Sequence, residues 1–81
     1  MPTLLFKDGF SVRMYFNDHP PPHVHVILGS NEARIELGTI SLTHVYGMKK
    51  KSAAKAKQLV RENRNFLLEK WVEMHGPTAV I

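Results

Sequence analysis

Three of the five histidines in this sequence fall within the seven residues His19-Pro20-Pro21-Pro22-His23-Val24-His25. Imidazole can act as a metal ligand, as an acid or base near neutral pH, or as a donor to phosphate. His23 and His25 are two residues apart, so a strand projects them from one face, and His19 can return to them across the proline loop. Two chemistries follow. In the leading one, without metal, Arg13, Tyr15, His23, His25, Arg34 and Glu36 share one sheet face suited to cleaving a phosphodiester such as RNA. His23, held by Glu36, and His25 act as acid and base, Arg13 and Arg34 bind phosphate, and Tyr15 orients or stacks a base. In the alternative, His19, His23 and His25 form a facial metal set that Glu36 or Glu32 completes with oxygen. The plainer account is that these histidines bond only to Arg34, Glu36 and water while the prolines shape a turn.

Both chemistries need the strands that carry these residues to be neighbours. Thr3 to Lys7, Asp8-Gly9 and Phe10 to Phe16 read as a hairpin, because Asp-Gly supplies the positive φ angles of a tight turn. In its second strand Val12, Met14 and Phe16 share the apolar face and Arg13 and Tyr15 the other. The three prolines impose a rigid, extended connection. A second hairpin follows, turning at Gly29-Ser30 with Val24, Val26 and Leu28 on the apolar face. That turn sets a register in which Val26 opposes Ala33, Val24 opposes Ile35, His25 opposes Arg34 and His23 opposes Glu36. A slip of one residue would set the histidines against Ala33 and Ile35. Residues 38 to 48 read only as a short edge strand or a crossing turn.

From about Lys49 or Ser52 to His75 the period is helical, with Ala53, Ala56, Leu59, Val60, Phe66, Leu67, Trp71 and Met74 spaced by three and four. Asn63 and Asn65 are mediocre helix formers and mark where the helix would kink or split. Gly76-Pro77 ends it. The expected fold is α+β: an antiparallel sheet of about four strands in two hairpins, covered on one face by a long C-terminal helix. The expected core joins Val12, Met14, Phe16, Val24, Val26, Leu28, Ala33, Ile35 and Leu37 to Ala56, Leu59, Val60, Leu67, Trp71 and Met74. Residues 1–76 form the single domain and 77–81 a short tail.

With 81 residues the chain allows one small domain, for which oligomerisation or a partner is plausible. No apolar run approaches the ~20 residues that cross a bilayer, so no membrane association is expected. There is no cysteine, so disulfides, thiolate metal sites and thiol nucleophiles are excluded, and a cytoplasmic location is expected. Phosphate-loop, dinucleotide and nucleophile-elbow patterns are missing, so no organic cofactor is expected. The net charge of +4 is unevenly placed: residues 1–46 carry three Lys or Arg against four acids, residues 49–64 seven against one. Lys50, Lys57, Arg61 and Arg64 form a ridge at helical spacing that Leu68 and Val72 continue, a docking surface for nucleic acid or a protein partner.

The opening Met1-Pro2-Thr3, the aromatic-rich second strand, the block Asp18-His19-Pro20-Pro21-Pro22-His23-Val24-His25-Val26 and a helix ending near Trp71 together resemble domain-of-unknown-function family 4160, over about residues 1–75. The resemblance implies an intracellular bacterial protein, the toxin half of a type II toxin-antitoxin pair of the DhiT-like kind, with a small antitoxin or toxin encoded nearby as partner. It carries over His19, Pro21, Pro22, His23 and His25 as signature positions, without a settled activity. The expected function is that of a toxin acting on RNA through the His/Arg/Tyr face, the alternatives being a non-catalytic regulator or antitoxin module and a histidine-based metal protein.

Overall fold

The computed structural model describes residues 3–76. Five strands come first: β1 (Thr3–Lys7), β2 (Phe10–Arg13), β3 (His23–Leu28), β4 (Asn31–Glu36) and β5 (Ser41–Tyr46). Two helices follow, α1 (Lys50–Glu62) and α2 (Arg64–His75). The strands form one antiparallel meander in chain order. Both expected hairpins are present. Asp8 and Gly9 take φ of 52° and 84° between Lys7 and its partner Phe10, and Gly29 takes 62° between Leu28 and Asn31. The β3–β4 register is the expected one: His23 opposes Glu36, Val24 opposes Ile35, His25 opposes Arg34 and Val26 opposes Ala33. The two hairpins are also neighbours, since Arg13 opposes His25 across β2 and β3.

Three differences from the expected fold have local causes. The sheet has a fifth strand, because residues 41–46 pair with β4. Its alternation is hard to read because Ile35 opposes Leu42 while Arg34 opposes His44, leaving Thr43 as an extra residue that shifts the faces. Ile40 enters this strand at φ 53°, an uncommon backbone for a β-branched residue. The C-terminal segment is two helices rather than one. The break falls at Asn63, whose side-chain amide donates to the Leu59 carbonyl at 2.8 Å and competes with the backbone ladder.

The third difference concerns Phe16, expected in the core but 74% exposed. β2 ends at Arg13 because the Tyr15 N–H donates to the Asp18 carboxylate at 3.0 Å, while Asp18 N–H donates back to the Tyr15 carbonyl at 3.1 Å. This reciprocal turn breaks the alternation before Phe16 can follow Met14 inward. The Pro20–Pro21 bond beyond it is cis, where a continuous extended path was expected.

The core joins one sheet face to the helices. Val12, Met14, Val24, Val26, Ala33, Ile35 and Leu37 are buried against Ala56, Leu59, Val60, Leu67 and Trp71 as expected, with Phe10, Met48 and Ala53 also buried and Leu28 and Met74 partly so. α1 packs on β4 and β5. Arg64 pins the start of α2 by donating from Nε to the Leu37 carbonyl at 2.8 Å. At the other end Gly76 adopts φ 90° and donates its N–H to the Val72 carbonyl. The expected tail 77–81 lies outside the described residues.

Leu67 is fully buried, so Leu67→Ala is expected to lower stability by about 2–5 kcal/mol through lost burial and a cavity. Phe16→Ser should change it by no more than about 0.5 kcal/mol. Urea unfolding of the two variants checks both, and a large loss at Phe16 would contradict its position outside the core.

Candidate metal centre

The reciprocal turn that ends β2 delivers the Asp18 carboxylate to the start of β3. There the strand's period of two presents His23 and His25 on the same side. Asp18 Oδ1 lies 3.1 Å from His25 Nε2 and 3.5 Å from His23 Nε2. One ligand atom from each of Asp18, His23 and His25 comes within 4.8 Å of the other two. Bonds of about 2.1 Å in tetrahedral or octahedral geometry give ligand-to-ligand edges of roughly 3.0–3.4 Å. The two measured edges are close to that range.

The far nitrogen of each ring also faces an acceptor, and for His23 this fixes what the near nitrogen can do. His23 Nδ1–H donates to the Pro21 carbonyl at 2.9 Å, an oxygen that can only accept. His25 has a carboxylate oxygen on each nitrogen, Glu32 Oε2 2.9 Å from Nδ1 and Asp18 Oδ1 3.1 Å from Nε2, and either nitrogen can donate. A neutral imidazole carrying its proton on Nδ1 presents a lone pair at Nε2. The His23 Nε2 lone pair therefore faces the Asp18 carboxylate, and so does that of His25 when its proton sits on Nδ1 toward Glu32; in that state three electron-rich groups meet with a cation required between them. A second proton on His25 meets that need, as does a metal ion. The carbonyl–His and carboxylate–His pairs are the outer partners that orient histidines bound to metal.

The surroundings of these three residues are largely dry. His25 is 5% exposed, and the Tyr15 ring meets its edge at 4.9 Å between centroids. Trp71, fully buried, lies 5.5 Å from the His23 ring and stacks on His75 at 3.8 Å. His75 lies with Nδ1 3.1 Å from the Trp71 carbonyl and Nε2 2.8 Å from the Tyr15 carbonyl, tying the end of α2 to the turn that carries Asp18. On the open side, a cavity of about 390 Å³ is lined by Asp18, His19, His23, Arg34, Glu36 and His44 among others. The cluster thus has a packed wall behind it and a vestibule in front.

Burial pushes the Asp18 carboxyl up. The Tyr15 backbone N–H, the His25 hydrogen bond and positive charge on His25 and His23 outweigh it, and hold the carboxyl below its ordinary value.

The structure rearranges the expected partners within this region. Glu36 opposes His23 and lines the cavity, but the His23 ring is held by Pro21 and Asp18 instead. His19 lines the cavity while exposed, and it is Asp18, its neighbour in sequence, that converges with His23 and His25. Glu32, expected as a direct oxygen ligand, sits behind His25 as its hydrogen-bond acceptor. Arg13 and Arg34 flank His25 on adjacent strands. Arg13 donates from Nε to Ser11 Oγ, whereas Arg34 reaches the cavity.

The expected basic ridge is divided. Lys50 and Lys57 line a groove with Leu42 and Val45, while Leu68 and Val72 line a separate one with Glu69 and Glu73. Arg61 Nη1 donates to Gln58 Oε1, and Arg64 Nε is used on the Leu37 carbonyl. Sequence reasoning gave no role to Asp18 and placed Trp71 only as core or interface. The signal for Asp18 was its place immediately before the His-Pro-Pro run. The diagonal position of Glu32 relative to the His25–Arg34 pair could have pointed to its bond.

A five-stranded meander backed by two helices, with two histidines and an aspartate gathered where a proline-rich turn enters the third strand, defines a small α+β domain built around one polar cluster. The chain belongs to the family described as Domain of unknown function (DUF4160), which it matches over residues 9–72. No curated protein and no solved structure matches it.

Because the Asp18 pKa is lower in the folded protein than in the unfolded chain, the carboxylate adds stability above the unfolded value near ~4 and loses it as pH falls through the folded value. Asp18→Asn should therefore be less stable than the parent at pH 7, and the gap should close in acid below the ordinary carboxylate range. Thermal melts of both proteins from pH 7 to pH 2, with chelator present, check this; a gap that does not change with pH would contradict it.

Proposed function

We propose that the protein is a divalent transition-metal protein whose centre consists of Asp18, His23 and His25, with Glu32 and the Pro21 carbonyl orienting the two rings. The observation that carries this reading is that both histidines set Nδ1 against an outer acceptor and direct Nε2 at the same carboxylate. Nitrogen and carboxylate donors suit Zn²⁺, Fe²⁺, Co²⁺ or Mn²⁺, and three protein ligands leave positions open for water and substrate. An ion held there polarises a bound oxygen and makes bound water a stronger acid.

This reading changes the means of the expected activity but keeps its target. A toxin component acting on RNA would work through the ion, with Arg34 at the cavity wall. His25 is poorly placed as a free acid or base, because each of its nitrogens already faces a carboxylate. The binding-module alternative is favoured by one separate feature: exposed Val45 and half-exposed Leu42 beside Lys50 and Lys57 form an apolar groove with a basic rim suited to an acidic partner segment.

The test is titration of the chelator-treated protein with Co²⁺ and Zn²⁺, following the Co²⁺ visible spectrum and heat. One equivalent should bind, and His23→Ala should abolish binding while the fold is retained. Glu32→Gln, which removes only an outer partner, should weaken it about 10–100-fold. Absence of stoichiometric binding to the parent protein would overturn the metal reading. Inducible expression in bacteria, comparing parent with His23→Ala/His25→Ala, tests the toxin role: growth arrest with RNA fragmentation that the double variant loses supports it, and unchanged toxicity of the variant removes the centre from it.

A further inference from the structure

We propose that the cavity in front of the centre binds a phosphodiester, with one non-bridging oxygen on the metal and the other on the Arg34 guanidinium. The inference rests on the metal reading above and identifies what the centre would act on. It begins from a donor without a partner. Arg34 Nε is buried from solvent and makes no hydrogen bond within the described protein. Buried polar groups are nearly always paired, so each exception calls for a physical account. Guanidinium keeps its charge at any physiological pH, and deprotonation cannot relieve the cost.

Its neighbours make the missing bond more informative. Asp18 and Glu36 line the same cavity, yet among the described residues neither forms an ion pair with Arg34. Asp18 is instead committed to the Tyr15 N–H and the two histidines. The guanidinium is thus held at a carboxylate-bearing wall without being neutralised by it. Arg34 itself lines the vestibule, so an oxyanion entering there meets the guanidinium as an acceptor that the protein does not supply.

Sheet register sets the spacing between this donor and the ion. Arg34 is the direct cross-strand partner of His25, and His44 is the partner of Arg34 on the next strand. Adjacent strands lie ~4.8 Å apart, and directly opposed side chains leave the sheet ~5 Å from one another. That is a span a phosphoryl group can bridge with two of its oxygens. His44, Thr43 and Asn17 add polar side chains around the remaining space. A volume of about 390 Å³ admits a sugar-phosphate unit and falls within the usual range for small-molecule sites.

Charge selects the diester. Among its Arg, Asp and Glu side chains the cavity holds Arg34 against Asp18 and Glu36, and a divalent ion brings their sum to a single positive charge. One negative charge balances it. A phosphodiester carries one at neutral pH, whereas a monoester carries close to two and would leave Glu36 facing excess negative charge.

The experiment uses the full chain loaded with Co²⁺, with the dinucleoside monophosphate TpT as diester probe and thymidine 5′-monophosphate as monoester probe. ³¹P line broadening by the ion reports binding. TpT should be broadened in a saturable way. Arg34→Gln should bind Co²⁺ with an unchanged visible spectrum, yet weaken TpT at least tenfold, with Arg34→Lys in between. Lys51→Gln, which removes the same charge from an exposed helical site, should stay within twofold. TpT affinity indifferent to Arg34→Gln overturns this inference and leaves the metal centre standing. Broadening of the monoester with none of TpT overturns the diester assignment. Failure of the parent protein to take up Co²⁺ overturns both readings together. Should Arg34→Gln unfold, the Arg34→Lys affinity decides, and a value equal to the parent's counts against the proposal.

Discussion

The Asp18 carboxylate is the group on which the functional end of this molecule depends. One oxygen accepts the Tyr15 backbone N–H, and the same carboxylate meets the Nε2 atoms of both His23 and His25. The first contact is structural: it stops β2, turns the chain and sends Phe16 to the surface. The others are chemical, because they bring two imidazoles and a carboxylate together where a positive charge, from a proton or an ion, is stabilised. A single side chain therefore sets both where the strand ends and where positive charge is favoured. Removing it would free the turn and leave two imidazoles with no shared partner.

The cluster also connects parts of the chain that are remote in sequence. His75, in the last turn of α2, lies against the Tyr15 carbonyl and stacks on Trp71, whose indole sits behind His23. The helix end is in this way fastened to the turn through an aromatic wall. A dry wall on one side and a polar vestibule on the other give an ion unequal surroundings: low dielectric behind, where attraction to its ligands is strong, and water in front, where exchange can occur. Arg34 stands on the vestibule side because β4 pairs with β3 in a register that places it directly across from His25.

Where local chemistry determines structure, the sequence was readable. Asp8-Gly9 and Gly29-Ser30 dictate tight turns, and alternation between them fixed the register that opposes His25 to Arg34 and His23 to Glu36. The helical period placed Leu59, Val60, Leu67 and Trp71 inside, and Asn63 marked the break. What could not be read depended on side chains overriding pattern. Asp18 captures a backbone N–H and ends a strand whose alternation would have continued through Phe16. The extra residue at Thr43 scrambles the faces of β5. At the site, the histidines stood out by their density, but the carboxylate that joins them did not, since nothing in composition distinguishes Asp18 from His19 as the residue that turns inward. Glu36 was the nearer choice as a partner for His23 because it lies directly opposite, yet the Pro21 carbonyl and Asp18 reach that ring first.

The centre is also local along the chain. Asp18, Pro21, His23, His25 and Glu32 all lie within residues 18–32, so their meeting requires closure of only short loops, whose entropic cost is small. The long-range contributors are Trp71 and His75, which come from the far end of the sequence. During synthesis, which proceeds from the N-terminus, the donor set and its outer acceptors are complete in the emerged chain before the helices exist. Assembly then has a natural order: the turn and the β3–β4 hairpin bring the ligands together, and the C-terminal helix arrives last to seal them from solvent. The residues of the proposed centre and the aromatic residues that wall it off from solvent thus enter the fold at opposite ends of its formation.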